Sequence, residues 1–210
     1  MYRIMSFLKR RPDLERSAFF DWWLNHHAPL VVNVPGLKRY CISFDIETPQ
    51  DGGFDGVAEL WFDDAEALAA GFAAEAGKTA RADGAEHTIC IERLHVEEYP
   101  FMDSGSEPRF KLVAAVKRHP DLDRAAFKAW WLERHAPLVM AFPELARYQV
   151  NLVPEGEAEG FADGVAEVCF NDRETLRRII FSQQVKTVQE DSVVHSVAIN
   201  RLLVQEHLIL

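Results

Sequence analysis

The chain has 210 residues, 48% of them apolar, and 23 Lys and Arg set against 33 Asp and Glu give a formal net charge of −10. That acidity excludes nucleic acid and anionic membrane surfaces as partners, since both demand clustered cations, and Lys9-Arg10-Arg11 is too short a basic run to reverse it. No stretch reaches the roughly 18 apolar residues of a membrane span, and the segment before Lys9 is too short for a secretory apolar region, so a cytoplasmic protein is expected.

Taken in order, Tyr2 to Leu8 is short, β-favouring and followed by basic residues and Pro12, the pattern of a first strand. Asp13 and Glu15 supply helix-start acids. Phe19, Trp23, His27, Leu30 and Val34 then recur at spacings of four, four, three and four, which is one helical face. Pro29 lies inside this face and cannot donate to the carbonyl of Asn25, so a kink or a tightened turn is expected there. Leu37 to Ile46 is a second strand, Pro49 to Gly53 a loop, and Val57 to Phe62 a third strand entered through Asp55-Gly56. An alanine-rich second helix follows over Ala65 to Ala80, and His87 to Tyr99 closes the unit as a fourth strand.

The whole pattern then repeats 108 positions later. Phe19 to Leu30, with its adjacent tryptophans and His27-Ala28-Pro29, returns as Phe127 to Leu138 with His135-Ala136-Pro137, and 20 of the 32 positions from Lys9 to Tyr40 are identical in Lys117 to Tyr148. The second copy runs through strands at Phe110 to Val116, Leu145 to Val153, Val165 to Phe170 and His195 to His207, with a helix over Glu174 to Gln189. The expected division is therefore 1–100 and 110–210, joined by a turn-rich linker over 101–109. Each order is β-α-β-β-α-β, a ferredoxin-like α+β unit with both helices on one sheet face. The bare faces of the two sheets are expected to press together as a fused, pseudo-dimeric α+β barrel with an enclosed interior. Cys41, Cys90 and Cys169 fall at non-equivalent positions, so neither a disulfide framework nor a metal pattern belongs to the unit.

The motifs Phe-x-x-Trp-Trp-x-x-x-His-Ala-Pro-Leu, Pro-x-Leu-x-Arg-Tyr and Phe-Asp-Gly-Val-Ala-Glu-Leu-Trp-Phe, with Lys-Arg closing the first strand, resemble the EthD domain, named for ethyl tert-butyl ether degradation. Both copies match, apart from Ala162 inserted between Phe161 and Asp163 and Cys169 standing where the first copy has Trp61. The resemblance implies a dimeric α+β barrel. It also implies a cofactor-independent enzyme of dehydratase, decarboxylase, isomerase or monooxygenase type, acting on a small apolar or aromatic metabolite. A non-catalytic carrier and an accessory protein of a pathway are the alternatives. Further pairing of the fused unit through helices or outer strands is left open.

His27 and His135 head the catalytic candidates, because imidazole titrates near neutrality. The structural alternative is that each satisfies the backbone carbonyl freed by the nearby proline. Glu59 and Glu167 come next. Alternation in the third strand sends Ala58, Leu60 and Phe62 toward the helices and Val57, Glu59 and Trp61 to the other face, where a carboxylate acts as a proton shuttle or pairs with Arg93 or Arg201. Tyr40, Tyr148, Trp61, His87 and His195 are the substrate-binding candidates. His95, His119 and His207 have no repeat partners and are expected at the surface. The fourth strand is apolar at Ile89 and Ile91 on one parity and at Leu94 and Val96 on the other, suggesting a bulge or face change near Glu92. No metal motif and no phosphate-binding glycine motif is present, and no cofactor is called for. Loss of Trp61 to Cys169, and of Cys41-Ile42-Ser43 to Gln149-Val150-Asn151, predicts an asymmetric pair of pockets.

Overall fold

A computed structural model describes residues 1–47, 53–107 and 109–210; part of the expected Pro49 to Gly53 loop lies outside them. The chain forms two compact units, Met1–His95 with Glu206–Leu210, and Val96–Gln205. Unit 1 contains β1 (Tyr2–Arg10), α1 (Arg16–Trp22), a π-helical turn (Trp23–His27), α2 (Ala28–Val32), β2 (Arg39–Asp45), β3 (Gly56–Phe62), α3 (Ala65–Ala73), α4 (Glu75–His87) and the start of β4 (Thr88–Asp103). Its strands follow the order β4-β1-β3-β2, the ferredoxin-like arrangement. The C-terminal residues complete the edge of β2: Tyr40 N–H donates to Leu210 O at 3.0 Å, and Ile209 N–H to Tyr40 O at 2.9 Å. Unit 2 repeats the plan with β5 (Phe110–Arg118), α5 (Arg124–Trp130), a π turn (Trp131–His135), α6 (Ala136–Met140), β6 (Arg147–Leu152), β7 (Gly164–Phe170), α7 (Arg173–Ile180), α8 (Gln183–His195) and β8 (Ser196–Leu208).

Register fixes the two faces of the unit 1 sheet. β3 pairs antiparallel with β1, Ser6 opposite Ala58, and with β2, Tyr40 opposite Leu60. Successive side chains alternate across a pleated strand, so Leu8, Tyr40, Ala58, Leu60 and Phe62 share the face covered by Phe19, Trp23, Val31 and Val34 of the helices. Met5, Cys41, Glu59 and Trp61 take the other face. At about 25 cal/mol per Å2 of apolar surface, this aromatic-rich helix-to-sheet layer is the main stabilising term of the unit.

Several boundaries differ from the sequence expectation. The second helix is not continuous: it breaks at Ala74, which has ψ of 163°, into α3 and α4. The two pieces meet so closely that a Cβ on Gly77 would sit 2.4 Å from Gly71 O, so only glycine fits. α4 runs on to His87 and α8 to His195, so both histidines end helices instead of opening strands. β4 continues through Pro100 to Asp103 because β6 supplies its partners, Glu97 opposite Leu152 through Asp103 opposite Arg147, with an irregularity between Pro100 and Met102. In β8, pairing with β5 is continuous from Gln205 to Ala198, so no bulge falls at the equivalent of Glu92. Of the two apolar parities, Ile91 packs on the helix-side core while Ile89 is exposed, and Leu94 and Val96 are buried on the other side.

Candidate functional site: a histidine held by aspartate over a small cavity

Pro29 widens the first helix instead of tightening it. Because the proline cannot donate to Asn25 O, the ladder ahead of it opens by one residue, and Ala28 N–H donates to Trp23 O in a π turn. The helix resumes with Pro29 in its first turn, where a missing donor costs nothing. The turn keeps Trp23 and His27 buried on the same side as Ala28 and Val31.

His27 does not satisfy the freed carbonyl. Its Nδ1 lies 2.7 Å from Asp83 Oδ2 on α4, and Trp22 Nε1 donates to Asp83 Oδ1 at 3.3 Å. His87, one turn further along, donates from Nδ1 to Asp83 O at 2.8 Å and stacks on Trp22 with ring centroids 4.1 Å apart. Burial pushes the His27 pKa below its ordinary value, outweighing the hydrogen bond and charge of Asp83, which raise it; the charge of His87 adds slightly to the lowering. The neutral imidazole must then carry its proton on Nδ1, where the carboxylate accepts it. Nε2 is left as a basic lone pair.

Unit 2 reproduces this arrangement. His135 Nδ1 lies 2.7 Å from Asp191 Oδ2, Trp130 Nε1 donates to the same oxygen at 3.0 Å, and His195 donates to Asp191 O at 2.9 Å. Burial likewise lowers the His135 pKa.

What differs is the set of residues around the histidine. In unit 1 a cavity of ≈ 70 Å3 lies between helices and sheet, reached by His27, Tyr40, Trp23 and Ser6, walled by Leu8, Val31, Ala58, Leu60 and Ile91, and bordered by Phe72, Arg81 and Arg93. Gly84 makes room for it: a Cβ there would stand 3.3 Å from His27 Cε1 and 3.9 Å from Nε2. Tyr40 OH accepts from Trp23 Nε1 at 3.2 Å. Its own proton meets no acceptor among the described residues, and burial raises its pKa, so it stays a donor. In unit 2 the positions equivalent to Ala80, Gly84 and Arg81 are Val188, Ser192 and Gln189. Ser192 is buried and donates to Val188 O at 2.8 Å. Tyr148 is buried beside Trp131, yet its OH and Trp131 Nε1 make no hydrogen bond among the described residues.

The structure separates residues that the sequence reading grouped. Trp61 lies on the sheet face opposite Tyr40, between the guanidinium groups of Arg3 and Arg39 at 4.7 and 4.8 Å. Glu59 lies on that same face and forms an ion pair with Arg3, both side chains 2% exposed; it does not use Arg93. Glu167 is held by Lys111 Nζ at 2.6 Å and Asn151 Nδ2 at 3.0 Å, not by Arg201. Arg3 and Lys111 are repeat equivalents that sequence reasoning passed over, because one cation inside a strand looks like any surface residue. Among the histidines without a repeat equivalent, His95 is not simply surface but stacks on Tyr2 at 3.7 Å, and His207 lies 5.2 Å from Phe44.

A larger groove of ≈ 400 Å3 in unit 2, lined by Tyr99, Arg124, Phe127 and Lys128, contains no histidine. Its cations are already engaged: Lys128 donates to Tyr99 OH at 2.6 Å, and Arg124 bonds Pro154 O at 3.0 Å and Ala158 O at 3.1 Å. It offers little free chemistry. The unit 1 cavity holds more than the roughly 10–15 Å3 one water needs, but it does not admit a porphyrin, so His27 is not placed here to ligate a haem.

Asp83 and Asp191 are the functional residues that sequence reasoning missed. They are repeat equivalents four residues before His87 and His195, and that spacing was the available signal. Solved structures match the chain at the level of fold. A protein described as anthrone oxidase-like is 10% identical with a TM-score of 0.68, covering 99% of this chain and 92% of that one. One described as a monooxygenase from Lactobacillus acidophilus is 10% identical at 0.58, covering 99% and 94%, and one described as a chlorite dismutase is 12% identical at 0.59, covering 98% and 94%. No curated protein matches. The EthD domain model matches residues 11–88 and again 119–195. The chain belongs to the EthD domain family and carries two copies of the domain in tandem.

Proposed function

We propose that unit 1 is the working half of a proton-transfer enzyme for a small apolar or aromatic metabolite, with His27 as the base, Asp83 as its positioning residue and Tyr40 as the donor to a developing oxyanion. The observation that carries this reading is the state of His27: Nδ1 is spent on Asp83 and Nε2 borders the cavity that Tyr40 also reaches. Nε2 takes a proton from a carbon next to a carbonyl, the electron pair moves onto the carbonyl oxygen, and Tyr40 O–H donates to it. The imidazolium so formed is stabilised by Asp83. Return of the proton to a different carbon isomerises the substrate; its delivery to a departing hydroxyl, with cleavage of that C–O bond, dehydrates it. Fold neighbours described as oxidases and monooxygenases support an enzyme on this scaffold without naming the reaction.

The test is deuterium exchange in D2O, followed by proton NMR, across a panel of small aromatic and aliphatic ketones. Exchange above the buffer rate is expected with the unaltered protein and with His135→Asn, and its loss with His27→Asn. Exchange that survives His27→Asn overturns the assignment of the base. Ligand binding with no exchange anywhere in the panel makes the protein a carrier.

A further inference from the structure

Two cations border the unit 1 cavity without an acid to match them. Arg81 on α4 and Arg93 on β4 both line it and are both exposed. Arg81 Nη2 donates to Phe72 O at 2.6 Å, and its guanidinium lies 5.9 Å from the Phe72 ring. Neither arginine forms an ion pair among the described residues, although the chain holds 33 acids to 23 bases. Both line the same cavity, and the Arg93 pKa is lowered by desolvation first and by the charge of Arg81 second. In unit 2 Arg201 remains, but Gln189 stands in place of Arg81. The second cation therefore accompanies the smaller residues Ala80 and Gly84 that leave the cavity open.

We infer that unit 1 binds a small carboxylic acid, its carboxylate held at the mouth by Arg81 and Arg93 and its apolar body directed past Ile91 and Leu60 toward Tyr40 and His27. The planar guanidinium suits a carboxylate better than an ammonium would, because it gives paired donors in one plane. The cavity also limits size. At ≈ 70 Å3 it is about half the 150 Å3 of an apolar cavity known to take benzene. A short branched chain enters as the space stands; a ring requires the exposed Arg81 and the half-buried Phe72 at its border to move outward. The inference deepens the proposed function, since it names the substrate class of the same site.

The experiment is calorimetric titration of the full chain with isobutyrate and benzoate, their neutral amides isobutyramide and benzamide, and phenylphosphonate. Carboxylates are expected to bind at least about tenfold more tightly than the amides, and Arg93→Gln and Arg81→Gln each to remove about tenfold, as loss of one charge-assisted contact does. Arg93→Lys should restore part of the loss. Calorimetry reads the anion site and deuterium exchange reads the base on the same protein, so failure of the base and failure of the anion site are separately visible. No binding of either carboxylate at millimolar concentration, equal binding of acid and amide, or unchanged binding in both glutamine variants overturns the inference. Tighter binding of phenylphosphonate than of benzoate overturns the choice of carboxylate.

Discussion

Gly84→Ser separates the site from the fold, because unit 2 already carries serine at this position and folds around it. A Cβ at residue 84 would approach His27 Cε1 to 3.3 Å and Nε2 to 3.9 Å, so the ring must give way by a few tenths of an ångström and the space beside the basic nitrogen shrinks. Two opposing effects act on stability. Replacing glycine inside α4 gains about 0.5 kcal/mol of helix propensity, and the crowding offsets a similar amount. The net change is expected within about 1 kcal/mol, or about 2–4 °C in melting temperature for a chain of this size. The effect on chemistry is much larger. A reacting atom displaced by about 1 Å loses about 100-fold in rate, equivalent to about 2.7 kcal/mol of barrier. Thermal unfolding by circular dichroism and deuterium exchange on the same preparation give the two readings. A variant that keeps both its melting temperature and its exchange rate refutes the placement of the reaction at Nε2. A variant that loses both together would show that Gly84 serves the fold instead.

Asp83→Asn keeps the shape of the side chain but removes the charge that fixes the His27 tautomer, and exchange should fall by at least about 100-fold while the fold persists; Asp83→Ala leaves His27 Nδ1 and Trp22 Nε1 without their acceptor and should cost about 2–4 kcal/mol in denaturant unfolding. Glu59→Gln removes one buried carboxylate partner of Arg3 and should destabilise unit 1 by up to about 3–5 kcal/mol without abolishing exchange at His27; loss of exchange in a still-folded Glu59→Gln protein would return that carboxylate to the chemistry. The folded pKa values of His27 and His135 are both lowered, so each contributes stability that is complete above the unfolded histidine value of about 6.5 and is lost as the pH falls through the folded value. Stability measured by urea unfolding should therefore decline on acidification below about pH 6.5, and His27→Asn with His135→Asn should flatten that slope. A slope unaltered in the double variant would assign the acid sensitivity to other groups.

The fold was legible in the sequence wherever it is written in local periodicity. Alternation of Ala58, Leu60 and Phe62 with Val57, Glu59 and Trp61 placed the helices on the correct side of β3, and the constant repeat interval gave the same order of elements in both halves. What was not legible depends on contacts between distant segments. Nothing near Glu59 in the sequence announces Arg3 as its partner, because strand pairing across 56 residues decides it. The break at Ala74 was hidden for a related reason: alanine favours helix on every local scale, and the requirement for glycine at Gly77 comes from its closeness to Gly71.

The two halves also show why repeated residues alone did not locate the site. The His-Asp contact recurs at the same 2.7 Å in both units, together with the tryptophan that donates to the same carboxylate and the histidine stacked on it. An arrangement kept in both copies ties the π turn to α4 in unit 1 and to α8 in unit 2. Among the residues that differ are three that line the unit 1 cavity: Gly84 against Ser192, Ala80 against Val188, Arg81 against Gln189. They are small or ordinary residues on the inner stripe of one helix, and no motif marks them. Under the proposed function, divergence at these equivalent positions is what adapts unit 1 to a ligand. On that argument Ser192→Gly with Val188→Ala should open beside His135 a cavity like the one beside His27. Isobutyramide, which needs no Arg81, should then bind with a stoichiometry of two instead of one; an unchanged stoichiometry would show that the unit 1 cavity is shaped by more than these two positions.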